Sequence, residues 1–359
     1  MEAFGDAARI LLVRLDNIGD VVMLSPAVRA LRSALPRARL SLLVSPAGQA
    51  AAALLPGPDE VIGYRALWQD ARGDRPFDPA REEEWVRAIA ARAFDAAFIF
   101  TRFSQSPFPA AYACYLAGIP TRIAQSREFG GGVLSHWVRP PPDSAHQVDR
   151  NLHLLRSVGI PVEGPEAAAP RLAVPRAARA RAEAMLRERG VPGDFVAIAP
   201  GATCAARRYP ADRYAQVAAG LLATGRPVVV VGGPRDRAIG EAMVMAAPGA
   251  VSLCGATDLA ELAALLRRSR LVIGNVSGLM HIADAVGCPM VVLNSGTELE
   301  EQWRPRSARA RILRRPTACS PCYRFECPYD LECLRIAPGE VVAHARALLG
   351  ETLREVAGG

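Results

Sequence analysis

The stretch RILLVRLDNIGDVVMLSPAVRAL, residues 9–31, decides the fold class. Its opening, residues 9–15, is a nearly unbroken apolar run, the pattern of a strand buried on both faces of a parallel sheet. A helical pattern follows to about residue 35. Its start is ambiguous, because Ser25-Pro26 can act as cap and first-turn proline. Between strand and helix stands DNIGD. Gly19 is expected to permit a positive φ and close approach of a ligand. Asp20 falls near a helix N-terminus, where the dipole stabilises a carboxylate. Spacing alone makes plain capping at least as good a reading of Asp20 as catalysis.

The alternation continues outward from this stretch. Residues 40–44, 61–64 and 96–100 read as strands, 49–55 and 81–92 as helices, and the polar, proline-rich residues 67–80 as a loop. Residues 159–176, GIPVEGPEAAAPRLAVPR, hold four prolines and read as a linker. Beyond it the pattern restarts, with strands at 195–199, 227–231, 271–273 and 290–293 and helices at 177–189, 210–222, 259–268 and 279–286. The expected architecture is therefore α/β: two Rossmann-like domains, 1–160 and 177–359, joined by a linker at 161–176 and facing a central cleft. Neither G-x-G-x-x-G after the first strand nor G-x-x-x-x-G-K-[ST] occurs, which argues against a dinucleotide oxidoreductase and a P-loop ATPase.

Composition narrows the chemistry. The chain has 359 residues, carries a net charge of +7, and all 43 of its basic residues are arginine. Without lysine, every cationic role falls to a planar guanidinium fork, which suits phosphate. The arginines are dispersed with few aromatics between them, so nucleic acid is not an expected partner. No apolar run is long enough to span a bilayer. The N-terminus lacks a basic-then-apolar leader, and the expected location is cytoplasmic.

Three further stretches carry chemistry. PGATCAARRYP, residues 200–210, follows a strand; its small residues, Thr203 among them, expose backbone amides, and Arg207 and Arg208 add cations. That suits a diphosphate, although a basic surface turn is an equal alternative. VVVVGGPRDR, residues 228–237, ends a buried strand in Gly232-Gly233, leaving room for a ring or sugar, and Asp236 could accept from ribose hydroxyls. GNVSGLMHIADAVGCP, residues 274–289, opens a helix at Ser277, Gly278 and Leu279, whose amides form an anion site. His281 either faces the cleft or is a buried structural histidine, and the second reading is favoured.

Taken in this order, these motifs resemble one family across nearly the whole chain: the ADP-heptose:lipopolysaccharide heptosyltransferases, glycosyltransferase family 9, with the GT-B fold. The resemblance implies an N-terminal acceptor-side domain and a C-terminal nucleotide-sugar domain. It implies that Asp20 is the general base of an inverting transfer and that Gly19 adjoins it. It places Arg207 where a phosphate-contacting lysine stands, Asp236 near the ribose, and Ser277, Gly278 and Leu279 in the diphosphate-cradling turn. Asp16 matches a more variable position. One departure stands out: the family usually carries a sugar-contacting aspartate where this chain has Val276. The implied partners are a nucleotide-sugar donor, a lipopolysaccharide core acceptor and, peripherally, the inner-membrane surface. Alternatives are another donor, a protein or surface-glycan acceptor, or a sugar-nucleotide epimerase of like architecture. The acceptor is expected around residues 102–105 and 125–127 and near His146, Asp149 and Arg150.

Cys319, Cys322, Cys327 and Cys333 form CSPCYRFECPYDLEC, with spacing C-x2-C-x4-C-x5-C. Four thiolates this close can wrap structural zinc or iron, a better reading than disulfides in a cytosolic chain, although reduced structural thiols are weighed slightly above metal. No cofactor is expected for catalysis.

Overall fold

The computed structural model describes residues 8–70, 73–191, 193–306 and 309–350. The chain divides into two compact units, Met1–Arg171 and Leu172–Gly359. The division falls inside the proline-rich stretch.

The first unit is built on β1 (Arg9–Arg14), β2 (Arg39–Val44), β3 (Glu60–Gly63), β4 (Ala96–Ile99), β5 (Thr121–Gln125) and β6 (His136–Val138), in the order β3-β2-β1-β4-β5-β6. The second unit repeats this plan with β7 (Val196–Ala199), β8 (Val228–Val230), β9 (Val251–Ser252), β10 (Leu271–Asn275), β11 (Met290–Leu293) and β12 (Ala310–Leu313), in the order β12-β11-β10-β7-β8-β9. Every pairing is parallel. Counted from its own first strand, each sheet has the doubly wound dinucleotide-fold order. Strand order reverses between β1 and β4, and again between β7 and β10. Loops leaving the carboxyl ends there are where such sheets take ligands.

The helices of the first unit are α1 (Ile18–Val22), α2 (Ser25–Ala34), α3 (Gln49–Ala52), α4 (Pro79–Ala90), α5 (Phe108–Leu116) and α6 (Gln147–Arg156). Those of the second are α7 (Arg176–Glu188), α8 (Ala211–Leu222), α9 (Arg237–Ala246), α10 (Leu259–Arg268), α11 (Gly278–Ala285), α12 (Glu300–Trp303) and α13 (Pro338–Leu348). The ambiguous start after β1 resolves into two helices: α1 ends at Val22, and Ser25-Pro26 opens α2. In α2 Val28 and Leu31 are buried, and Ser25 Oγ accepts from the Arg171 amide at 2.9 Å. Arg29 donates to the carbonyls of Ala167 and Ala169, so the early linker is stitched onto α2. In the second unit the β-branched strands β7, β8 and β11 pack against Tyr214, Val217 and Leu221 of α8 and Val341 of α13. Helix α10 is closed by a capping box between Asp258 and Glu261.

Several elements were not legible in advance: α5, α6, α9, α13 and strands β5, β6, β9 and β12. Strand β9 has two residues and β6 three, too few to show alternation. Helix α5, FPAAYACYL, is apolar nearly all round and lacks a helical stripe. Within the expected loop, residues Leu67–Gln69 form a 3-10 turn, and α4 begins at Pro79 because Asp78 caps it by accepting from the Arg81 amide.

Candidate active site

Arg14 is the last residue of β1, and its side chain is wholly buried at the carboxyl end of the sheet. Its Nη2 donates to Asp20 Oδ1 at 2.7 Å, and its Nε stands 3.0 Å from Asp16 Oδ2. One guanidinium thus holds both acids of the DNIGD turn. Among the described residues nothing accepts from Arg14 Nη1. Asp20 lies in the first turn of α1 and caps nothing; its partner is Arg14, not a backbone amide. Gly19 is correspondingly different from expectation. It sits within α1 and is not among the positive-φ residues, so a ligand-hugging φ is not its role.

Asp16 is more engaged than a loop residue. It accepts from Gln105 Nε2 at 2.7 Å and faces Arg102 Nε at 3.5 Å. Burial pushes its carboxyl above the usual range; the Arg14 guanidinium opposes this and the nearby Asp20 adds to it. The loop after β4 is therefore pinned to the loop after β1. Nearby, Gln125 donates to the Arg150 carbonyl at 2.8 Å, and Arg127 pairs with Asp143 at 2.6 Å. Burial lowers the pKa of Arg150, with Asp143 opposing and the Arg127 and Arg14 charges adding. His146 caps α6 by accepting from the Val148 amide, a structural duty.

In the second unit the motifs converge at the β7/β10 reversal. Asn275, the last residue of β10, donates to the Pro200 carbonyl at 2.8 Å and accepts from the Tyr209 amide at 3.0 Å. It ties the 200–209 loop to the turn that opens α11. At that turn Ser277 makes no side-chain capping bond, so the first amides of α11 keep their donors. Arg207 and Arg208 separate in role. Arg208 folds back on the Ala202 carbonyl. Arg207 reaches across the loop: its Nε donates to Thr297 Oγ1 at 3.0 Å, and its Nη2 pairs with Glu298 Oε1 at 2.9 Å. Thr203 is exposed on the same loop.

Asp236 is held inside its own turn. Its Oδ2 accepts from the Gly233 amide at 2.9 Å. A Cβ on Gly201 would come within 2.6 Å of its carboxylate, and one on Gly232 within 2.7 Å. The room that Gly232 opens is filled by this acid, which packs the two glycine turns together.

A family model for glycosyltransferase family 9 (heptosyltransferase) matches residues 84–332. The chain belongs to glycosyltransferase family 9. It is 24% identical over 359 residues to lipopolysaccharide heptosyltransferase 2 of Escherichia coli K12, covering 95% of this chain and 98% of that protein. Against lipooligosaccharide heptosyltransferase 2 of Haemophilus influenzae it is 36% identical over 137 residues, which span 38% of that protein's length. Its fold is that of the family 9 enzyme of Veillonella parvula, at TM-score 0.79 and 22% identity over 98% of this chain and 99% of that one. The iron-containing dodecameric glycosyltransferase TibC of enterotoxigenic E. coli matches at TM-score 0.56 and 18% identity, over 96% of this chain and 77% of that one. The chain is a GT-B glycosyltransferase.

Two remaining features of this glycosyltransferase bear on its site. His281, on the first turn of α11, is buried and held neutral, its pKa pushed down to about 4 by burial. It is a core histidine. The four cysteines line one pocket together with Ala206, Ser295 and Thr297. Cys333 is buried, and burial, with the three other thiols adding, raises its pKa to about 11. Among the described residues no three His, Cys, Asp or Glu are placed to hold a metal ion. The donor chemistry fits zinc or iron; the spacing of the thiols would have to tighten.

Arg14, Asn275, Thr297 and Glu298 were not singled out in the sequence. A charge ending an otherwise apolar strand was the available signal for Arg14. Glu298 follows no motif and is found only by its contact. Among the described residues no helix is long and apolar enough to cross a membrane.

Proposed function

We infer that this glycosyltransferase moves heptose from ADP-heptose to an inner-core sugar of lipopolysaccharide, with inversion. The observation that supports this most is the Asp20 carboxylate. It stands at the carboxyl end of the first strand, caps no helix, and is aimed by a buried arginine. In the reaction, Asp20 takes the proton of the acceptor hydroxyl as that oxygen bonds to the anomeric carbon. The bond from that carbon to the diphosphate breaks, and ADP leaves with the electron pair. Asp20 is a weak base in water, so orientation by Arg14 and removal from bulk solvent must supply its effectiveness. Arg207 and the free amides at Ser277, Gly278 and Leu279 neutralise charge on the departing diphosphate. Gly19, Thr203, Gly232, Gly233 and Asp236 shape the surrounding turns.

The acceptor is expected around residues 102–105 and 125–127, where the accessible guanidinium groups of Arg102 and Arg127 suit the anionic inner core. The net charge of +7 favours peripheral contact with an anionic inner-membrane surface from the cytoplasmic side. Cys319, Cys322, Cys327 and Cys333 would hold a structural zinc or iron, with no catalytic step through it. A protein or other glycan acceptor is the competing reading, because Val276 alters the sugar subsite.

A donor panel tests the reading. Calorimetry with ADP-, UDP- and GDP-linked sugars should show ADP-heptose bound most tightly. A preference for a UDP-sugar would overturn the donor assignment.

A further inference from the structure

A carboxylate outside every recognised motif stands beside Arg207 and the turn that opens α11. Glu298 follows β11, its side chain is 13% exposed, and its Oε1 pairs with Arg207 Nη2 at 2.9 Å. It lines one small cavity with Val276 and Met280 of the α11 turn and with Thr297. Thr297 is itself fixed. Its hydroxyl accepts from Arg207 Nε, its carbonyl accepts from the Tyr323 amide at 2.8 Å, and Ser295 Oγ donates to its hydroxyl at 3.2 Å.

An acid beside a phosphate-binding arginine is costly unless it serves another purpose. Its charge competes with the diphosphate for the same guanidinium and repels the phosphate oxygens. The pair leaves other N–H donors on the Arg207 fork for a phosphate, and it leaves Glu298 Oε2 as an acceptor. The next group along a nucleoside diphosphate sugar, after the second phosphate, is a ring bearing hydroxyls. Those hydroxyls need an acceptor. Val276, in the same cavity, cannot be one, because its side chain has no lone pair.

We propose that Glu298 is the specificity-determining residue for the donor sugar: held by Arg207, it accepts a hydrogen bond from a sugar hydroxyl in place of an acid at position 276. This rests on the donor site assigned above. It predicts a difference between two ligands. The bare diphosphate meets only Arg207 and the α11 amides, whereas the sugar-bearing donor also meets Glu298. A carboxylate acceptor for a sugar hydroxyl is a charge-assisted bond, whose loss corresponds to about tenfold or more in affinity.

The test is calorimetry with ADP and ADP-heptose on wild type, Glu298→Ala, Val276→Asp and the double variant. For wild type, ADP-heptose should bind more tightly than ADP. In Glu298→Ala the affinity for ADP should hold or rise, because a negative charge beside the phosphates has gone, while that for ADP-heptose falls about tenfold. Adding Val276→Asp should restore much of the lost discrimination. An equal loss for both ligands in Glu298→Ala, with thermal unfolding unchanged, would show that Glu298 only positions Arg207 and would overturn the proposal. So would unchanged affinity for both. A wild type that binds ADP-heptose no better than ADP, but prefers a UDP- or GDP-sugar, would sink the donor assignment; Glu298→Ala measured on that sugar against its own nucleotide then decides Glu298 separately.

Discussion

At the scale of single residues, Arg14 and Asp20 carry the account. Asp20→Asn keeps the shape and removes the proposed base. Turnover should fall by roughly two to four orders of magnitude with ADP affinity intact, the range for losing general-base catalysis. Near-normal turnover in a steady-state assay would make Asp20 structural. Arg14 is the other half of the device. Arg14→Met leaves Asp20 buried without its cation and Asp16 with only Arg102 nearby, and chemical denaturation should show a loss of about 3–5 kcal/mol. A variant as stable as wild type would mean the ion cluster is solvated. Arg207→Ala should weaken ADP binding and turnover together, because a phosphate contact acts in both ground and transition states. An effect from Arg208→Ala alone would reverse the assignment, although Arg208 is turned onto the Ala202 carbonyl.

Elements explain what a reader of the sequence could and could not see. The strands β1, β2, β7, β10 and β11 were visible as apolar runs, and α10 begins at Leu259 and ends at Arg268 as its periodicity predicts. What stayed hidden depends on distance along the chain. The Asn275 bridge to Pro200 and Tyr209, and the Arg207 contact with Glu298, join residues far apart in sequence. No spacing rule reaches that far. Gly19 shows the converse: local pattern suggested a positive φ, and the fold places it inside a helix. The cysteine loop is similar, since the Phe325 carbonyl accepts from the Ala206 amide at 2.9 Å, joining that loop to the arginine loop. Helix α11 offers a pH test. In the unfolded chain His281 protonates near its ordinary 6.5, while in the fold it resists to about 4. The unfolded state therefore binds more protons in that window, and stability declines as pH drops from 6.5 to 4. The contribution is roughly 3 kcal/mol. Urea unfolding at neutral and mildly acid pH should show that His281→Leu loses less stability on acidification than wild type; equal losses would contradict it.

Over the whole molecule, two units share one sheet order, and each unit's motifs are brought together by contacts within that unit. The groups proposed to bind the nucleotide all lie in Leu172–Gly359. Hydrogen exchange with and without ADP should show protection at residues 200–209 and 275–279; protection confined to the first unit would relocate the nucleotide. Thiol reactivity follows burial in the same way. The metal-free protein should alkylate first at the exposed Cys319 and spare Cys114, whose pKa burial raises to about 12. The central claim is heptose transfer, and one measurement meets it directly. Incubate the protein with ADP-heptose and a heptose-deficient core acceptor, and read the acceptor by mass spectrometry. The acceptor should gain one heptose residue, and the gain should be lost in Asp20→Asn. An unmodified acceptor, with transfer from a UDP- or GDP-sugar in the same assay, would contradict it.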